Sequence, residues 1–329
     1  MNGYFIKIGV KYRLVNNYNF MRHILNTNQF KKEDIEQIFS TIPKMEELCE
    51  NLKKGTRIER PLEGKIIACV FFEPSTRTRL SFETASLRLG AKVISAENAS
   101  ENSSAHKGET LEDTARTLSC YADAIVTRHY QMGAAESMSH SSTVPIINAG
   151  DGANQHPSQG LLDLYTIQSE HGRLENLKVA FVGDVLNSRT LRSLVPLLML
   201  YPGNTFYFIS PKELKLDENY RKFLQDNNVK FEELDNLDGT LPEVDVLYMT
   251  RVQKERFANE ADYEKVKDLF LLTPEHVAQL KGDAIIMHPL PRINEIDPEI
   301  DSDSRAAYFR QAQNGLYVRM ALLLYVFGL

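Results

Sequence analysis

Residues 65–72, KIIACVFF, run into residues 71–90, FFEPSTRTRLSFETASLRLG. The first stretch is a short apolar run rich in branched and aromatic residues, which predicts a buried strand. The second has helical spacing from about Ser75 to Leu89 and sets Ser75, Thr76, Arg77, Thr78 and Arg79 at its first turn. A helix N-terminus carries unpaired N–H groups and the positive end of the helix dipole. Hydroxyls and guanidinium groups added there make a phosphate site. On these residues alone a second reading stays open, in which Ser75 is an ordinary N-cap and Arg77 and Arg79 are solvated. The stretch is neither a GxxxxGK[ST] P-loop nor a GxGxxG dinucleotide turn.

The strand-then-helix pattern repeats outward from this point. Residues 91–96, 122–129 and 144–150 read as strands, and 107–121 and 157–172 as helices. Residues 177–184 begin a second series, with further strands at 204–211, 244–251 and 283–292 and helices at 188–201 and 217–228. An amphipathic segment at 30–55 precedes both series and is expected to break near Pro43. Alternating strands and helices predict an α/β fold of two domains, each a mostly parallel sheet flanked by helices, with the active site in the cleft between them. The expected division is an N-terminal extension at 1–20, a first domain at 21–157 joined by a terminal helix at 315–329, and a second domain at 158–314.

In open α/β sheets, ligands bind beyond the carboxyl ends of the strands. Polar loops fall there in both series, so Arg77, Arg128, His156, Arg189, Arg251 and Arg292 all sit where a ligand would bind. Repetition across two domains points to anionic ligands held in one cleft. The composition adds limits. Thirty-eight Lys and Arg against 44 Asp and Glu give a net charge of −6, which does not fit a nucleic-acid binder. The three cysteines, Cys49, Cys69 and Cys120, show no CxxC spacing, so neither a disulfide framework nor a structural zinc site is expected. No apolar run is long enough to span a bilayer, and a cytoplasmic location is expected. Residues 1–32 lack acidic side chains and carry six Lys and Arg, which leaves organelle targeting through residues 1–20 as the alternative.

Several separate motifs occur in one order. FFEPSTRTRLSFETASLRLG, SSAHKGETLEDTARTL, INAGDGANQHPSQGLLDLYTI, YMTRVQKER and HPLPR together resemble the aspartate branch of the transcarbamoylase family, from about Met21 to the end. The resemblance implies attack of the aspartate amine on the carbonyl carbon of carbamoyl phosphate. A tetrahedral intermediate then loses phosphate to give N-carbamoyl-aspartate, an early committed step of pyrimidine synthesis. It implies no metal and no cofactor. Such chemistry depends on positioning and on stabilising charge.

By resemblance, Ser75, Thr76, Arg77 and Thr78 hold the phosphate, and Thr78, Arg128 and His156 polarise the carbonyl oxygen. Gln159 and the backbone carbonyls of Pro289 and Leu290 orient the nitrogens. Arg189, Arg251 and Gln253 hold aspartate. Ser103 and Lys107 match residues that reach a neighbouring subunit's site, where Lys107 also meets aspartate, so the resemblance implies a homotrimer with shared sites. Regulatory chains are left open by the sequence. Glu73 is expected to pair with Arg189 and Arg256 when substrates bind. His156 is expected to be a neutral ring, because guanidinium groups and a helix start both depress an imidazole pKa. The acceptor is expected to be aspartate and not ornithine, since HPLP stands where an ornithine enzyme would carry HCLP and since Arg251 and Gln253 suit a carboxylate. A non-catalytic relative could have lost Arg128, His156 or Arg251, and this chain keeps all three. Departures from the family pattern are His106, Ser158 and Gly160, the last expected to cost ~0.5–1 kcal/mol against alanine near a helix start.

Overall fold

The computed structural model describes residues 21–56, 58–99, 108–237, 239–252, 259–266 and 269–329. Helix α1, Lys32–Lys53, comes first and continues through Pro43 without the expected break. Proline removes one helical hydrogen bond. Here the apolar face on both sides of it, Ile35, Ile38, Phe39, Ile42, Met45 and Cys49, is buried and holds the two halves in line.

Four parallel strands follow: β1 Ile66–Phe71, β2 Lys92–Glu97, β3 Ala124–His129 and β4 Ile146–Asp151, in the spatial order β2-β1-β3-β4. Helices α2 Thr76–Arg88, α3 Leu111–Ser119 and α4 Ala134–Ser139 connect them. Helix α5, Pro157–His171, then leads to the second sheet. That sheet is also parallel, with β5 Lys178–Val182, β6 Thr205–Ile209, β7 Lys230–Leu234, β8 Val246–Met249 and β9 Ile285–Met287 in the order β7-β6-β5-β8-β9. Its helices are α6 Arg189–Leu198, α7 Glu218–Asp226, α8 Glu260–Val266 and α9 Pro274–Val277. The chain ends in α10, Tyr308–Phe327.

Strands β1, β3, β4, β5 and β8 are buried at nearly every position, as strands covered on both faces must be. Strand β7, KFEEL, escapes the sequence reading because it lies at a sheet edge and is only partly buried, so its acidic residues break the apolar run. In each sheet the strand order reverses once, between β1 and β3 and between β5 and β8. Such switch points open a crevice at the carboxyl ends of the strands.

Helix α10 starts beside β9 and returns to pack on α1, α2 and α5. One apolar cluster therefore runs from Phe39, Phe71 and Phe82 through Leu161 and Leu164 of α5 to Phe181, Phe206 and Tyr248. The two sheets are held by a shared core and not by a loose linker. Among the described residues no helix is long and apolar enough to cross a membrane.

Candidate active site

A cavity of about 1140 Å³ opens between the carboxyl ends of the two sheets. Ser75, Thr76, Arg77 and Thr78 line it at the start of α2, with Arg128 from β3 and His156 and Gln159 from the start of α5. Arg189, Arg251, Pro289 and Leu290 line it from the second sheet. The two switch points thus face one another across a single cleft. Ser103, Lys107, Gln253, Arg256 and His106 lie outside the described residues.

The start of α2 decides between the two readings of its hydroxyls. Ser75 is the N-cap residue with extended backbone, yet its side chain makes no capping hydrogen bond. Arg79 is not solvated either, since it pairs with Glu83 and Glu97, each at 3.0 Å. Arg77 points to the cleft, where burial and the approach of Arg251 hold its pKa below the usual value. The ordinary cap with two solvated arginines is therefore not what forms.

Three charged side chains meet deeper in the cleft. Arg128 Nε lies 2.9 Å from Glu73 Oε2, and Arg189 Nη1 lies 3.3 Å from the same oxygen. Arg189 also donates to the Gly152 carbonyl at 3.0 Å. Both guanidinium groups crowd Gly150, where a Cβ would lie 3.3 Å from Arg128 Nη1 and 3.4 Å from Arg189 Nη1. Glu73 thus pairs with Arg189 and also with Arg128, which the sequence did not suggest, while the pairing with Arg256 expected on substrate binding lies outside the described residues. Burial and the neighbouring Arg189 lower the Arg128 pKa to about 10, so it remains a cation at neutral pH.

His156 is the N-cap residue of α5 and is 3% exposed. Its Nε2 lies 3.3 Å from Thr78 Oγ1, and its backbone N–H donates to Ser193 Oγ at 2.8 Å. Burial, then Arg189, Arg128 and Arg319, hold the imidazole pKa well below its usual 6.5. The neutral ring expected from the sequence follows, with desolvation as the largest cause and the guanidinium groups second.

Ser193 Oγ also donates to the Arg189 carbonyl at 2.7 Å, which ties the start of α5 to the start of α6. Gly160 permits this close packing, because a Cβ there would lie 2.7 Å from the Ser193 carbonyl oxygen. The expected penalty for glycine is thus reversed in sense: alanine would push the two helices apart.

Arg292 corrects a sequence expectation. It is held by Asp301, with Nη2 at 2.6 Å from Oδ2, and by the Tyr308 hydroxyl at 3.1 Å, and it does not line the cavity. His129 is structural: its Nδ1 accepts the Gln131 N–H at 2.9 Å and its ring lies against Phe72.

Other polar residues, given no site role from the sequence, gain one from their contacts. His288 Nδ1 accepts the Leu290 N–H at 2.8 Å, so the proton sits on Nε2, 2.8 Å from Glu295 Oε1. This pair holds the backbone that carries the Pro289 and Leu290 carbonyls, with Leu290 at φ +50°. Gln311 and Arg319 are buried polar residues on the cleft side of α10. Their signal was shared with Arg310, Gln313 and Asn314, the other polar side chains that interrupt the apolar terminal helix.

Known proteins match this arrangement. The family described as aspartate/ornithine carbamoyltransferase, carbamoyl-P binding domain, matches residues 22–169, and its Asp/Orn binding domain matches residues 175–326. The aspartate carbamoyltransferase catalytic subunit of Clostridium kluyveri is 47% identical over 308 residues, covering 94% of this chain and 98% of that one. The solved catalytic subunit of Methanocaldococcus jannaschii aspartate transcarbamoylase superposes with a TM-score of 0.86 at 49% identity, covering 94% and 98% of the two chains. Aspartate transcarbamoylase from Trypanosoma cruzi, solved in complex with carbamoyl phosphate and aspartate, gives 0.84 at 36% identity over 92% and 96%. The chain belongs to the aspartate/ornithine carbamoyltransferase family and is a carbamoyltransferase.

Proposed function

We propose that the chain transfers the carbamoyl group of carbamoyl phosphate to the amine of L-aspartate, giving N-carbamoyl-aspartate and phosphate on the route to pyrimidines. The observation that carries this reading is the convergence of an uncapped helix start, Arg128 and His156 from one sheet's side with Arg189 and Arg251 from the other. Two anions must be held close together while a third negative charge develops between them, and cations on both walls meet that demand.

The amides, hydroxyls and Arg77 at the start of α2 take the phosphate. Arg128, the Thr78 hydroxyl and neutral His156 face the carbonyl oxygen, whose charge grows as the aspartate nitrogen bonds to carbon. The attacking nitrogen then gives up a proton to the leaving phosphate oxygen, the C–O bond to phosphate breaks, and phosphate leaves as the HPO₄²⁻ dianion that the α2 site already favours. Gln159 and the carbonyls of Pro289 and Leu290 take the N–H donors of the carbamoyl group and of the amine. Arg189 and Arg251, with Gln253, hold the carboxylates of aspartate. The first domain, 21–157 with the terminal helix, is the carbamoyl-phosphate side, and 158–314 is the aspartate side.

Ser103 and Lys107 reach the site of a neighbouring copy, so the active unit is a homotrimer. Mixing Lys107→Ala with His156→Ala chains, each inactive alone, restores activity if sites are shared. No recovery after subunit exchange makes each chain self-sufficient. The cytoplasm is the proposed location, in keeping with the free thiols of Cys49, Cys69 and Cys120.

The direct test is phosphate release by the purified chain from carbamoyl phosphate, with aspartate and then with ornithine. Aspartate-dependent release is expected. Release with ornithine alone would overturn the roles given to Arg251 and Gln253.

A further inference from the structure

Asp163 lies one helical turn beyond Gln159 in α5 and is 0% exposed. Its carboxyl group meets donors from three elements. Gln159 Nε2 donates to Oδ1 at 2.8 Å, Gln311 Nε2 from α10 donates to Oδ1 at 2.6 Å, and the Tyr248 hydroxyl from β8 donates to Oδ2 at 2.7 Å. The orientation of Gln311 has no ambiguity. Its Oε1 accepts the backbone N–H of His288 at 2.9 Å, so its amide nitrogen is the end turned to Asp163. Asp163 Oδ1 is therefore an acceptor. Gln159 shares that oxygen and must also offer its nitrogen, which leaves its carbonyl as the atom it presents to the cleft it lines.

We infer that Asp163 is a positioning residue that sets the site's selectivity for a carbamoyl over an acyl group. It turns the Gln159 carbonyl toward the substrate and, through Gln311, fixes the His288 amide ahead of the Pro289 and Leu290 carbonyls. The three carbonyls form a cluster of acceptors only. That cluster satisfies the NH₂ of a carbamoyl group and leaves a methyl group in its place opposite unpaired oxygens. A proton on Oδ2 would lie between Asp163 and Tyr248 and leave both amides as they are, so the acceptor pattern on Oδ1 persists in either protonation state. The inference rests on the proposed contact between Gln159 and the carbamoyl nitrogen.

The test compares carbamoyl phosphate with acetyl phosphate, which differs by CH₃ for NH₂. The KM for carbamoyl phosphate and the inhibition constant of acetyl phosphate against it are measured for the full chain and its variants. Asp163→Ala is expected to raise the former about tenfold and to move the latter less than about twofold. Loss of folding alone would move both together. Asp163→Asn keeps an acceptor at Oδ1 and is expected to keep the wild-type ratio. Asp163→Leu, which keeps the branched four-atom shape without an acceptor, takes the place of alanine if that variant does not fold. Gln159→Ala separates the two claims. If it leaves the ratio unchanged, the contact assigned to Gln159 fails. If it shifts the ratio while Asp163→Ala does not, or if Asp163→Asn loses the ratio as fully as alanine, the role of Asp163 is overturned.

Discussion

Helices α2 and α6 hold matching places. Each follows the first strand of its sheet, and each begins with a serine N-cap beside a switch point. Their ends are finished differently. Ser188 Oγ accepts the Leu191 N–H at 3.3 Å, so α6 satisfies its own start and sends a side chain, Arg189, across the cleft to Glu73. Ser75 makes no such bond, and α2 keeps its amides and hydroxyls toward the cavity. A bare helix start suits a phosphate, with several oxygens to satisfy. A closed start that exports a guanidinium suits a carboxylate, which Arg grips in a planar pair of bonds.

The largest test of this contrast is Arg128→Ala, which removes a cation beside the α2 start. We expect kcat to fall about 10²–10³-fold, as when a preorganised donor is lost from a site of developing negative charge. A loss under threefold would take the α2 side out of the chemistry.

Glu73→Gln removes the carboxylate charge that, among the described residues, joins Arg128 to Arg189. The KM for aspartate should rise about tenfold, or ~1.4 kcal/mol, with carbamoyl-phosphate affinity nearly unchanged. Equal shifts in both substrates would show that the two walls are not separable in this way.

The buried titrating groups sharpen the contrast through pH. His156 is held well below 6.5, so the unfolded chain takes a proton near pH 6.5 that the folded chain refuses. Its contribution to stability is present above that pH and is lost as pH falls, at up to about 1.4 kcal/mol per pH unit. Asp163 runs the other way. Burial raises its pKa to about 7 from 3.8, so the stability linked to its held proton is present below pH 3.8 and lost as pH rises toward 7. Urea midpoints from pH 5 to 7.5 should fall less steeply on the acid side in His156→Asn. An unchanged slope would mean that the folded ring takes up its proton as the unfolded one does.

The smallest effects come from the two serines themselves. Ser188→Ala should cost ~1 kcal/mol of stability, the usual value of a lost N-cap. Ser75→Ala should leave the denaturation midpoint in place and raise the KM for carbamoyl phosphate. Equal stability losses in the two variants would erase the difference between the helix starts.

Much of this was written locally. Strand and helix alternation, the two series and the cation-bearing loops could be read because periodicity and turn chemistry are encoded within a few residues. Placing those loops at strand ends was enough to bring Arg77, Arg128, His156, Arg189 and Arg251 to one cleft, since parallel sheets point all their carboxyl ends the same way. Edge strand β7 was missed for the same local reason, because half-exposed strands lose the apolar signal.

What the tertiary structure alone decided is which distant polar groups meet. Arg292 carried the same local signature as Arg251, yet Asp301 and Tyr308 take it out of the cleft. Gly160 looked like a weak point in a helix until the Ser193 backbone proved to need its space. Asp163 and Glu295 gave no local sign of function, and Gln311 gave only that of a polar side chain in a largely apolar helix, because a buried carboxyl or amide is defined by its partners. Those partners stand 148 residues apart for Asp163 and Gln311. The cost of burying a polar group is met only when the far segment arrives, so the sequence determined where the ligands go and the packed fold determined what holds the ligand-binding groups still.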